Sequence, residues 1–231
     1  MSLHVGEGCP ERPGNFVDGQ ARVRFLLLCV CTFLIFLSNS ASALFAKLFA
    51  STGYRESAVG AILAVYGVST VAGILTSGLV ARRIGVLQTV KTGALVLMLS
   101  YVSFSFTLGH FWSAVASRLA QGFAYGLFLA PSMLFAKMQL SKRRLVTLFG
   151  IFSSMIPLPN AVGPPVAAWL LDRAGSELFF YLTAPPMMLG VVGLLLMHGN
   201  LRLGANLPGI RYTKLVRRQE VRWVYAAIGF V

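Results

Sequence analysis

The sequence predicts an all-α membrane protein of six transmembrane helices, and three observations carry that prediction. Hydrophobic residues make up 56% of the 231-residue chain and charged residues only 12%, whereas about 25% charged is usual in soluble domains. Mean hydropathy is +0.74. The apolar residues fall into six runs, each near the roughly 20 residues that a helix needs to cross a hydrocarbon core about 30 Å thick. The 20 Lys and Arg far outnumber the 7 Asp and Glu, and they collect in every second segment between runs.

Taken in order, residues 1–24 form a polar tail rich in Gly and Pro, expected in the cytoplasm. The first span, 25–46, has a basic flank and an Ala41-Ser42-Ala43 triplet, which together resemble a signal peptide. Its apolar character continues through Ala46 and its polar lead is long for a leader, so the span is read as retained. The second span is 58–80 and the third 92–108, joined by the inner loop ARRIGVLQTVK. The fourth, 111–135, holds Arg118 well inside an apolar segment. The fifth, 145–171, carries Pro157, Pro159, Pro164 and Pro165, and the sixth, 178–197, carries Pro185 and Pro186. Each proline removes a helical hydrogen bond, so these two spans are expected to be kinked.

After the bundle, 25–197, residues 198–222 form a basic cytoplasmic linker with a break at Pro208-Gly209. Its second half reads equally well as an amphipathic helix at the headgroups or as a solvated charge run. Residues 223–231 are apolar but too short to span, and they read as the start of an incomplete seventh span.

Charge sets the orientation. With a cytoplasmic N-terminus, 16 of the 20 basic residues lie inside, among them Arg82, Arg83, Lys137 and Arg217. Only Lys47, Arg55 and Arg173 fall outside, with Arg118 in the membrane. Such asymmetry is the positive-inside pattern, expected of a protein in the plasma membrane, here the bacterial inner membrane. The formal charge of +13 therefore contacts lipid headgroups, and no basic stripe on a soluble module suggests nucleic acid.

The side-chain inventory disfavours an enzyme. Cys29 and Cys31 lie on different faces of the first span and Cys9 in the tail, so neither a disulfide framework nor a metal site is indicated. The histidines, His4, His110 and His198, lie in the tail or at span ends, with no H-E-x-x-H helix and no G-x-S-x-G. No cofactor is implied. All seven acids fall in tails, loops or helix ends, so Arg118 has no carboxylate within the membrane.

A charged side chain near the bilayer centre is costly, and it usually faces the protein interior or a water-filled cavity. Arg118, Gln121 and Tyr125 fall at i, i+3 and i+7 and share one helical face, with Gly122 and Gly126 beside it. The G-x-x-x-G pair offers a close-packing surface to a neighbouring helix. The reading for Arg118 is a cavity-facing role in anion binding or proton coupling, with snorkelling to the outer surface as the alternative. Asn39, Tyr66, Ser69 and Asn160 are further polar residues within spans, as well suited to hydrogen bonding between helices as to lining a cavity.

Three stretches then resemble motifs of the major facilitator superfamily. GLVARRIGVL, 78–87, is similar to the inner-loop pattern G-x-x-x-D-R-x-G-R/K-R/K, matching at Gly78, Arg83 and Gly85. Arg82 stands at the family's acidic position, and Val86 and Leu87 replace the basic pair. SRLAQGFAYG, 117–126, resembles the fourth-helix pattern R-x-x-Q-G of proton-linked exporters through Arg118, Gln121 and Gly122. PNAVGPPVAA, 159–168, resembles the antiporter pattern G-x-x-x-G-P-x-x-G-G at Gly163 and Pro164, with Ala167 and Ala168 as small replacements.

The resemblance implies two inverted three-helix repeats, the N-terminal bundle of the superfamily's fold, with a site near the midplane. It also implies a secondary transporter of a small organic solute by alternating access, linked to protons and working in efflux. The expected partners are that small-molecule substrate, protons, membrane lipids, and a missing C-terminal half or a second half-protein. The alternative is a truncated six-helix fragment that transports nothing. A coupling carboxylate within this chain would have to be Asp172.

Overall fold

A computed structural model describes residues 19–51, 53–107, 110–140 and 145–197. The expected linker, 198–222, the seventh run, 223–231, and the tail up to residue 18 lie outside the described residues. Every regular element described is helical: α1 (Gly19–Ser40), a 3₁₀ turn (Ala41–Leu44), α2 (Phe45–Ser51), α3 (Glu56–Ile84), α4 (Val86–Thr107), α5 (Phe111–Met138), α6 (Leu145–Ser154) and α7 (Pro157–Leu196). They make six helices long and apolar enough to cross a membrane. The first combines α1, the turn and α2. Helix α7 contributes to two, because non-helical Gly175 (φ 76°, ψ 174°) divides it into the end of the fifth span and the sixth.

The helices outrun the apolar segments that predict them. Helix α3 continues through Arg82 and Arg83 to Ile84, and α4 starts at Val86, so the eleven-residue inner loop expected from composition shrinks to Gly85. Basic residues in the last turn of a helix suit its dipole and keep their charge in water, so polarity alone does not end a helix. Gly85 can make this connection because its φ of 97° lies where side chains are strained. Proline does interrupt the fifth span, about ten residues into it: α6 stops at Ser154, and Pro157 opens α7, where its missing N–H goes unused. Pro164, Pro165, Pro185 and Pro186 lie inside α7, and Pro131 inside α5.

Helix α5 packs against α3 and α4, α1 packs along α7, and α4 joins the two groups through α7. Small residues allow the tightest approaches. A Cβ on Gly122 would meet Tyr66 O and Ser69 Oγ, one on Gly126 would meet Thr70 O, and one on Gly73 would meet Phe123 O. The G-x-x-x-G surface of the fourth span is thus filled by the second. Gly163 abuts Ser40 of the first span with no room for a methyl group. Phe106, Trp112, Trp169 and Tyr181 are exposed at one end of the bundle, the end the charge pattern puts outside. Exposed Trp and Tyr near helix ends suit a membrane–water interface.

Candidate functional site

Arg118 lies seven residues into α5, about 10 Å from its start. The sequence allows two fates for this cation, an open cavity or the outer surface. Within the described residues Arg118 is 2% exposed, enclosed by the bundle. Its Nη1 donates to Gln121 Oε1 at 2.8 Å, and its Nη2 reaches the carbonyl of Ser42 at 3.4 Å. Three rings face the guanidinium carbon, Phe45 at 4.4 Å, Tyr66 at 5.2 Å and Phe104 at 5.5 Å from their centroids. The negative faces of aromatic rings attract a desolvated cation. The charge is therefore balanced by neutral dipoles and ring faces.

From Gln121 the hydrogen bonds run across the bundle. Its Nε2 donates to Asn39 Oδ1 at 3.3 Å, and Asn39 Nδ2 donates to the Tyr66 hydroxyl at 3.3 Å. Gln121 and Asn39 are buried, so their amides need partners, and each satisfies the other. Tyr125 stands beside this chain, its ring 5.9 Å from that of Tyr66 and 5.5 Å, edge-on, from that of Phe36. Arg118 Nε makes no hydrogen bond among the described residues and is buried. A polar atom in that position costs free energy unless something else engages it.

Of the candidates read from the sequence, Arg118, Gln121, Asn39 and Tyr66 join one network, and Tyr125 packs against it. Asn160 does not join; it is exposed on α7. Ser69 turns its hydroxyl to its own helix, donating to Tyr66 O at 3.0 Å. Gly122 and Gly163 serve helix contacts, Pro164 follows Gly163 inside α7, Gly78 and Arg83 are exposed, and Gly85 is the turn. Asp172 lies away from the network, ion-paired with Lys47 at 3.1 Å where both side chains are well exposed.

Phe45, Phe104 and the Ser42 carbonyl are the contributors that sequence reasoning misses. A carbonyl leaves no trace in the sequence, and two phenylalanines are inconspicuous among 17. The polar run Ser38-Asn39-Ser40 inside an apolar span is the signal that lies nearest to them.

The family model of the Major Facilitator Superfamily matches residues 28–231. Monocarboxylate transporter 10 of zebrafish, Danio rerio, is 29% identical over 132 residues, 56% of this chain and 26% of that protein. Among solved structures, a mutant of the peptide transporter POT in complex with sulfate superposes with a TM-score of 0.68 at 20% identity, covering 89% of this chain and 45% of that one. The same transporter in complex with alafosfalin gives 0.66, again at 20% identity, over 90% and 46%. The chain thus spans about a quarter of the matched relative's length and somewhat under half of the solved transporter's.

Proposed function

The chain belongs to the major facilitator superfamily, and from that premise we propose that its six spans form one bundle of a secondary active transporter moving a small organic solute by alternating access. The observation that carries this reading is Arg118, a cation enclosed at membrane depth without a carboxylate partner and with one donor, Nε, unused among the described residues. A structural ion pair would need an acid, and the apolar runs contain none. The charge is available to an anionic group that reaches it.

A guanidinium offers a planar fork of donors that matches a carboxylate, and carboxylate is the group named by the zebrafish relative. A small carboxylate solute, moved with or against protons, is therefore the favoured cargo. The fourth-helix residues Arg118, Gln121 and Gly122 and the fifth-span pair Gly163-Pro164 support proton-linked exchange, with efflux as the direction. In this reading Arg118 and Gln121 hold the solute or the coupling charge. Asn39 and Tyr66 fix the orientation of Gln121 through the 3.3 Å bonds, and Tyr125 lines the approach. The protein sits in the plasma membrane, N-terminus inside.

Alternating access in this fold requires two bundles moving against each other, so the second bundle, or a second half-protein, is the required partner. The test is flux of a panel of small carboxylates in membrane vesicles that carry the two-bundle transporter, under an imposed pH gradient. Saturable movement that follows the gradient and collapses with a protonophore is expected. Saturable movement indifferent to the gradient would remove the proton link, and no movement of any carboxylate would remove the proposed cargo.

A further inference from the structure

The last turn of a helix leaves carbonyls without a partner on their own helix, and beside a hydrocarbon core such groups must be met by protein. At the end of the sixth span they are shared out. Leu194 O accepts the N–H of Met197 at 3.1 Å, which closes the turn, and Met197 itself is extended (φ −68°, ψ 124°). Two further acceptors are taken by a side chain from another span. Nζ of Lys91 donates to Leu195 O at 3.0 Å and to Met197 O at 2.6 Å, from 104 and 106 residues earlier in the chain.

A cation at a helix C-terminus is favoured by the helix dipole as well as by its hydrogen bonds. Bonds from a charged donor are also shorter and stronger than those between neutral groups. No acid draws the ammonium elsewhere: Glu56, Asp172 and Glu177, the acids of the bundle, are all placed outside by the charge pattern, whereas Lys91 lies inside. Its surroundings are apolar. Val90 and Leu194 are fully buried, and Met197 is nearly so. Tyr101 OH and Thr183 Oγ1, 2.8 Å apart, tie the same two spans nearer mid-depth. Lys91 also follows closely on Gly85, the turn between α3 and α4, so the end of the sixth span is fixed relative to that turn.

We propose that Lys91 is a positioning residue, which caps the sixth span from the third and fixes the place and direction in which the chain leaves the bundle at Met197. Its charge thus has a task besides topology. In the transporter reading this exit leads toward the second bundle, whose placement Lys91 then helps to set. That consequence rests on the transporter reading; the cap itself does not.

Hydrogen–deuterium exchange of the chain in lipid nanodiscs, resolved by mass spectrometry, tests the cap. Lys91→Met keeps the apolar stem and removes the donors, so backbone exchange across residues 191–197 should rise about tenfold while α3 and α5 stay unchanged. Adding Gln139→Lys, just past the inner end of α5, restores the inner charge without the cap, and the rise should persist. Unchanged exchange at 191–197, or an equal rise in every helix, would overturn the cap. So would protection regained with Gln139→Lys, by showing that charge at the inner surface is all that Lys91 supplies. Should Lys91→Met fail to insert, Lys91→Gln, shorter and uncharged, decides in its place. No solute is present in this measurement, so the cap can fail while the transporter reading stands, and loss of transport would leave the cap untouched.

Discussion

At the scale of single residues, the question raised by an arginine inside an apolar helix becomes one of what balances its charge. Gln121 Oε1 at 2.8 Å is its firmest partner, and Gln121 is itself buried. Gln121→Leu leaves Nη1 and Asn39 short of a partner, so it should destabilise the bundle by about 1 to 3 kcal/mol, read as a lower melting point in detergent. Gln121→Glu does the opposite by placing the missing counter-charge within reach of the guanidinium. This variant should melt no lower than wild type, yet a two-bundle transporter carrying it should lose flux, because the free cation is then consumed in a permanent pair. Full flux with Gln121→Glu would mean that solute never competes for this charge.

At the scale of elements, close helix contacts make the clearest stability prediction. A side chain at Gly163 would run into Ser40, and one at Gly126 into Thr70 O and Ile74 N. Gly163→Leu and Gly126→Leu should each cost about 1 to 3 kcal/mol or prevent folding, and Gly150→Ala, where nothing lies within 4 Å of the added Cβ, should be nearly neutral. Equal melting points for all three would show that the spans do not meet where the structure joins them.

Elements differ in how plainly the amino-acid pattern announces them. The six spans are legible because an apolar run of bilayer length suits little besides a membrane-crossing helix, and Gly122 with Gly126 announces a packing face. The helix ends are not, since Arg82 and Arg83 remain helical while composition turns polar. The 3₁₀ turn has neither glycine nor proline to mark it. Asn39, Tyr66 and Asn160 give the same signal, a polar group in an apolar span. Only three-dimensional packing separates the first two, which join the network, from the third, which is exposed.

At the scale of the whole molecule, the proposed cytoplasmic N-terminus rests on the charge pattern, which puts Arg82 and Arg83 inside and Arg55 outside. An impermeant maleimide added outside should label Arg55→Cys in intact cells and should reach Arg83→Cys only after permeabilisation; the reverse pattern would invert the topology. The six-span chain alone, reconstituted, should insert without saturable flux, because one bundle has nothing to move against. The enclosed arginine, with no acid in the apolar runs to pair with, is proposed to serve transport and not to act merely as a strut. Its most direct test is flux through a two-bundle transporter carrying Arg118→Ala, normalised to folded protein measured by size-exclusion chromatography. Folded protein should persist while saturable flux disappears, and Arg118→Lys should restore little of it, since an ammonium cannot reproduce the planar fork. Normal flux with alanine at position 118, or loss of folded protein in proportion to loss of flux, would contradict it.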